Sequence, residues 1–553
     1  MKRLIGTMLS AVLFSMTAVG AVKTSPLKIS EASRKAAENT MQVMTMRQRV
    51  AQLIMPDLKM FDMEEARKLI DTYVGDDEVG GLLFYKGECE DQIELYNRAV
   101  EQSKLPLLVA IDGEWGLSMR LSRTPRFPVN MALGAISDPN LLFEYGYEMG
   151  RQCRRMGISI NFAPVVDVNS NPENPVIGRR AYSDDKEIVA SHGVNYSLGL
   201  ESAGVISCVK HFPGHGDTNQ DSHKTLPTIN RSKETIYDVD LYPFRKYVES
   251  GCNGAMVAHL NIPSLDTVTG LCSSLSPVIV DGILRKEMGF EGLIFTDALV
   301  MEGVAHYENN AVKALLAGND VVLMPNGVEN TIDDILKAIE RGEITEECIN
   351  EHCAKILAYK YELKLTLDPI EPENILADLN SKECDNLIYK LAKASVTLVS
   401  DKPGVVGKIK AKKTQLVALG DDENLRYRSL GDTVITTREF YRYIDKSFKN
   451  VISYNSKSTE MPVVDANKPM VVEVFSAKPK YIEAVKQLSV HKNAVFVFYV
   501  NPYEMMRFSE SLNMSENTVV CAYEDTYHAQ KVAQEGLMGK LKFVGKMPIK
   551  LEM

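Results

Sequence analysis

Apolar residues in this chain gather into short, nearly continuous runs, separated by longer stretches in which they recur every three or four positions. GGLLFY at 80–85, PLLVAI at 106–111, ISINFAPVVDV at 158–168, VISCVK at 205–210, GAMVAHL at 254–260, GLIFT at 292–296 and DVVLMP at 320–325 are runs of the first kind. A short strand that is apolar on both sides is buried on both faces, the property of a parallel sheet covered by helices. Seven or eight such units between residues 45 and 365 predict an α/β fold built on a TIM-like (β/α)8 barrel, not a small doubly wound sheet. Thr45-Met46-Arg47-Gln48 reads as a capping box at the start of the first amphipathic stretch, each end's side chain reaching the other's backbone N–H. The barrel is therefore placed at residues 40–366.

Residues 367–384, LDPIEPENILADLNSKEC, carry two prolines and many polar side chains, so 367–390 reads as a linker. A second alternating series follows: SVTLVS, TQLVAL, TVITT, PMVVEVF, AVFVFYV and TVVCAY. These predict the strands of another layered α/β unit, an αβα sandwich over 391–553. At the other end, Lys2-Arg3 precedes an apolar stretch from Leu4 to Val19 and then Gly20-Ala21. That is the pattern of a signal peptide over 1–21, too short and too rich in small residues for a membrane span. The expectation is an exported protein, periplasmic or extracellular, with no stable membrane insertion.

Composition removes several classes of partner. Sixty-three Lys and Arg against 73 Asp and Glu leave a net charge of −10 over 553 residues, without the basic footprint of a nucleic-acid binder. Nine cysteines are scattered singly, an odd number without a C-x-x-C pair, and several sit inside apolar runs as small buried hydrophobes.

Polar residues collect where the apolar runs end: Asp112 after PLLVAI, Lys210-His211 closing VISCVKH, His259 closing GAMVAH, and Asp297 after GLIFT. In a barrel those strand ends form the face that carries chemistry. Three of the nine histidines, His211, His215 and His223, fall within thirteen residues. A metal cluster is one reading, but Pro213-Gly214 forbids the helix that a zinc-type pair would need, and no metal or other cofactor is expected. The other reading is a catalytic loop in which Asp221 accepts one imidazole N–H of His223, fixing its tautomer and raising its basicity. A carboxylate nucleophile such as Asp297 facing a proton donor is the machinery of retaining glycoside hydrolysis, although the donor there is normally a carboxylic acid.

The segments KHFPGHGDTNQDSH, IDGEWG and FTDALVMEG together resemble the β-N-acetylglucosaminidases of glycoside hydrolase family 3, from about residue 45 to the end of the chain. The resemblance implies Asp297 as nucleophile, His223 as general acid/base and Asp221 as its partner. It implies that Asp112, Arg120, Arg180, Lys210 and His211 hold a terminal GlcNAc. The reaction implied is exo-hydrolysis of β-linked GlcNAc, from muropeptides or related glycans, through a glycosyl-enzyme. A β-glucosidase or xylosidase of the same family, and phosphorolysis in place of hydrolysis, stand as alternatives. The usual I-D-x-E-G-G-R pattern is here Ile111-Asp112-Gly113-Glu114-Trp115-Gly116-Leu117, which alters the contacts to the leaving sugar. Trp115, the chain's single tryptophan, is expected either to pack on a sugar ring or to cap the barrel core. Asp167 and His259 are read as structural.

Overall fold

The structure, a computed structural model, describes residues 24–220, 225–421 and 443–551. Apolar runs become strands where the sequence places them. Pro56 interrupts the first strand, leaving β1 (Ile54–Met55) and β2 (Asp57–Leu58) as its two ends. Around the ring follow β3 (Gly81–Phe84), β4 (Leu108–Ile111), β5 (Ile160–Asn161), β6 (Ile206–Phe212), β7 (Gly254–Val257), β8 (Leu293–Thr296) and β9 (Val322–Leu323). Strands β2 to β8 form one sheet in chain order, every pairing parallel, and β1 pairs with β9. The ring closes where the Thr296 N–H donates to Val321 O at 3.1 Å and the Val322 N–H to Leu53 O at 2.8 Å. Every residue of β3, β4, β6, β7 and β8 is buried, as strands inside a barrel of helices must be. Behind β5 and β6 the helices Asn140–Arg155 and Lys186–Ser202 touch so closely that a Cβ on Gly146 would meet Tyr196 O at 2.0 Å.

The barrel unit begins earlier than residue 40. Ser25 is buried against the floor of the barrel, its N–H donating to Ser250 O at 2.8 Å and its hydroxyl to the Glu201 carboxylate. The helix Glu31–Met41 then packs on Glu346–Glu362. The expected capping box at Thr45 and Gln48 is present. Residues 1–21, the segment read as a signal peptide, lie outside the described residues.

Likewise, the segment read as a linker is folded. Helices Ile375–Leu379 and Lys382–Ser395 occupy much of it. Cys384, Ile388 and Leu391 join the barrel core, whereas Ala392 and Val396 join the sandwich core. A helix with one face on each domain has no long apolar stretch, so its flanking prolines dominated the sequence pattern. The second domain is a six-stranded sheet in the order β10 (Thr397–Asp401), β15 (Thr518–Cys521), β14 (Ala494–Phe498), β13 (Met470–Val474), β11 (Gln415–Leu419), β12 (Asn450–Tyr454). Only β10, against β15, runs antiparallel. Along β11, Val417 and Leu419 face one apolar layer while Leu416 and Ala418 face the other, which makes the unit a sandwich covered on both sides. The run TVITT lies outside the described residues. Strand β12, which the sequence reading omits, is an edge strand exposed along most of its length, so it lacks an apolar signature.

One layer of the sandwich docks on the barrel, sharing a core with Val129, Met131, Ala132 and Ile177. Hydrogen bonds flank that contact: Lys546 N–H to Ala135 O at 2.9 Å, Lys550 N–H to Asp184 Oδ2 at 3.1 Å and Tyr503 OH to Asn169 O at 3.2 Å. The sandwich thus stands beside the loops that follow β4 and β5. All nine cysteines are free, and eight are buried.

Candidate active site

The ends of β4 and β6 bring opposite charges together at the mouth of the barrel. Lys210, inside β6, places its Nζ 2.7 Å from Asp112 Oδ1 and 2.9 Å from Glu114 Oε1. Asp112 also takes Arg120 Nη2 at 2.9 Å. Glu114 is gripped in bidentate fashion by Arg180, Nη2 at 2.8 Å to Oε1 and Nε at 3.0 Å to Oε2. Burial pushes both carboxylates up, but the cations outweigh it. Lys210 and Arg120 hold Asp112 at about 2, and Arg180 and Lys210 hold Glu114 well below the usual carboxylate range. Both are ionised at neutral pH, and Lys210 is raised in return by Asp112 and Glu114 against its own burial.

His211 is oriented from behind. Its Nδ1 lies 2.7 Å from Asp167 Oδ2, and its Nε2 lies 3.2 Å from Arg180 Nη2. A guanidinium only donates, so Nε2 is the acceptor and the ring proton sits on Nδ1, bonded to Asp167. Asp167, fully buried, also accepts the backbone N–H groups of His211 at 3.2 Å and His215 at 2.7 Å. His215 faces Thr218 Oγ1 through Nδ1 at 3.2 Å, and burial together with His211 pushes it down to about 4. Among the described residues no three His, Cys, Asp or Glu side chains converge as a metal site.

Asp297 follows β8. Its carboxylate receives a single hydrogen bond among the described residues, from the Ala298 N–H to Oδ1 at 2.8 Å. Burial raises its pKa, yet His259, His211, that N–H and Lys210 together bring it below the ordinary value. It is an ionised carboxylate with one oxygen uncommitted among the described residues. His259 Nε2 donates to Ala298 O at 3.1 Å, and its Nδ1 meets the Ser274 hydroxyl at 2.7 Å, so this buried histidine fixes the peptide beside Asp297. Asp167 and His259 therefore each hold another member of the cluster in place.

The sequence profile described as the glycosyl hydrolase family 3 N-terminal domain matches residues 45–359. The chain belongs to glycosyl hydrolase family 3. It is 31% identical over 372 residues to "Beta-hexosaminidase A" of Pseudoalteromonas piscicida, an alignment spanning 61% of each chain. It is 37% identical over 264 residues to a "Beta-hexosaminidase" of Nitrosospira multiformis, covering 45% of this chain and 74% of that one. Among solved structures it is similar to a family 3 β-N-acetylglucosaminidase of Paenibacillus sp. str. FPU-7. The TM-score there is 0.75 at 28% identity, over 92% of this chain and 99% of that chain.

Within this family 3 site, the structure gathers Asp112, Arg120, Arg180, Lys210 and His211 into one hydrogen-bonded cluster, and Asp297 lies close enough for His211 and Lys210 to lower its pKa. Asp221 and His223 lie outside the described residues. Glu114 was left without a role by sequence reasoning, although it stands two residues after Asp112 and so leaves the same strand end. Tyr85, just beyond β3, was also missed. Its ring lies under the Arg120 guanidinium at 4.2 Å, a stacking that holds Arg120 toward Asp112. Trp115 does not cap the barrel core, because it packs, partly buried, at the junction of barrel and sandwich.

Proposed function

We propose that the protein is a retaining exo-β-N-acetylglucosaminidase that releases terminal β-linked GlcNAc. The observation that carries this reading is the Asp297 carboxylate at the end of β8, ionised, fixed by one backbone N–H and, among the described residues, left with a free oxygen. Beside it, Asp112, Arg120, Arg180, Lys210 and His211 offer alternating acceptors and donors suited to the hydroxyls of one sugar ring. The names of the similar proteins, β-hexosaminidases and a β-N-acetylglucosaminidase, support GlcNAc as that ring.

In this reading Asp297 attacks the anomeric carbon while His223, oriented by Asp221, protonates the leaving oxygen. Water then cleaves the glycosyl-enzyme with His223 as base. A neutral imidazole brings no negative charge near an acidic glycan, which suits muropeptides or related cell-wall fragments as substrates. The signal-like pattern over 1–21 supports an exported enzyme meeting such glycans outside the cytoplasm. Among the described residues no helix is long and apolar enough to cross a membrane.

The test compares aryl β-GlcNAc with aryl β-glucoside as substrates for the purified protein. Preferential release from the GlcNAc compound, with retention at the anomeric carbon, supports the reading, and preference for the glucoside overturns it. For His223→Ala the loss is expected to be large with poor leaving groups and smaller with activated phenols, which need little protonation. Equal losses across leaving groups would remove His223 from the acid/base role.

A further inference from the structure

In the chain, Asp221 and His223 stand between two limbs that different parts of the barrel hold. On the outgoing limb, after β6, Asn174 Nδ2 donates to His215 O at 2.8 Å and to Gly216 O at 3.1 Å, and Asn171 Nδ2 donates to Thr218 O at 3.2 Å. Gly216 lies so close to the loop after β5 that a Cβ there would meet Val168 O at 1.8 Å. On the return limb, the Ile229 N–H donates to Asn261 O at 2.9 Å, the Asn261 N–H to Pro227 O at 2.9 Å and Asn261 Nδ2 to Thr228 Oγ1 at 3.1 Å. Neither set joins one limb to the other.

Arg231 does. Its Nε lies 2.7 Å from Asp217 Oδ2 on the outgoing limb, and its Nη1 lies 3.1 and 3.0 Å from the two carboxylate oxygens of Asp240. Asp240 is buried at the end of the helical turn Ile236–Asp240, where a Cβ on Gly214 would meet its own Cβ at 2.8 Å. Burial raises Asp240 to about 6 against the pull of Arg231, with Asp217 and Asp167 adding to the rise, so at neutral pH it is an anion. A guanidinium fixed on one carboxylate presents its remaining edge to a second in a set orientation, and the ordering of its long side chain is already complete when Asp217 arrives. A general acid must stand within hydrogen-bond reach of the oxygen it protonates, and a misplacement of about 1 Å can cost about a hundredfold in rate.

We propose that Arg231 is a positioning residue for the acid/base: anchored on Asp240, it ties Asp217 to the return limb and so sets where His223 can deliver its proton. This rests on the acid/base reading of His223 above.

The experiment compares kcat/KM of the full-length enzyme and its variants on methoxyphenyl β-GlcNAc, whose leaving group needs a proton, and dinitrophenyl β-GlcNAc, whose leaving group does not. Asp217→Asn breaks the tie and leaves Arg231 on Asp240, at a partly exposed site where folding is expected to hold. It lowers the methoxyphenyl value by about tenfold, the worth of one charge-assisted hydrogen bond, and the dinitrophenyl value by less than about twofold. Arg231→Gln gives the same selective loss, Arg231→Lys recovers part of it, and the double variant Asp217→Asn with Arg231→Gln is no worse than Arg231→Gln alone. Thermal melting checks that each variant folds. Equal losses on both substrates, no loss in Asp217→Asn, or additive losses in the double variant overturn the proposal and leave the acid/base reading standing. Equal losses in His223→Ala on the same two substrates overturn both.

Discussion

Two aspartates at opposite ends of the same barrel show how the charge proposed to react differs from a structural one. Asp320, which precedes β9 at the floor, is fully buried and saturated. It takes Arg285 Nη2 at 2.7 Å, the Ile294 N–H at 2.8 Å, His352 Nδ1 at 2.9 Å and Lys355 Nζ at 3.1 Å. Asp297 at the mouth has, among the described residues, one donor on one oxygen. Both carboxyls are pulled below the ordinary value against burial, so ionisation alone does not separate them. The difference lies in the oxygen that no described residue engages, which at the floor would be a defect and at the mouth is, in the proposed reaction, the place for a reacting atom.

Substitution at Asp297 should break the comparison most sharply. Asp297→Asn keeps the shape and removes the proposed nucleophile, so kcat on aryl β-GlcNAc should fall by roughly 10⁴-fold or more while the melting temperature holds. Activity near wild type would move the nucleophile elsewhere. Asp320→Asn should do the reverse, costing about 3–5 kcal/mol of stability by stranding its cationic partners while kcat per folded molecule is retained. Denaturant unfolding alongside active-site titration reads both quantities, and a stable but inactive Asp320→Asn would erase the distinction between floor and mouth.

Glu114→Gln tests the part of the mouth proposed to bind the sugar. Lys210 and Arg180 lose a shared anion, and kcat/KM should drop by roughly ten- to a hundredfold, chiefly through KM. A loss confined to kcat would place Glu114 nearer the chemistry than its partners suggest.

The smallest effect belongs to the floor. Lys360 is buried with Gln52 Oε1 as its partner at 2.6 Å, and burial pushes its amine down to about 7. Between that value and the roughly 10.4 of an unfolded lysine, the unfolded state holds more protons, so wild-type stability gains from this group as pH rises. Lys360→Met should therefore stabilise by roughly 1–3 kcal/mol at pH 6, the gain shrinking between pH 7 and 10. Equal stabilisation at every pH would mean that the lysine is not carrying that penalty.

Much of the barrel was legible because its strands are apolar on both faces, and strand-end residues such as Asp112, Lys210 and Asp297 could be placed at the mouth from topology alone. What the pattern hid follows from physics. β12 is exposed, the helix Lys382–Ser395 divides its apolar side chains between two cores, and Ser25 docks through hydrogen bonds. Glu114 and Tyr85 act through Arg180 and Arg120, partnerships between residues far apart in the chain that spacing does not reveal. The junction around Trp115 depends on a second domain hundreds of residues away.

The strap at Ser25 also decides how the molecule can be held. Any group joined to the chain at Thr24 is one residue from a point clamped to the barrel floor, a reach of about 4 Å. A bead, a surface or a fusion partner attached there would sit beneath the barrel, and the mouth at the opposite end would face outward, open to whatever glycan is offered.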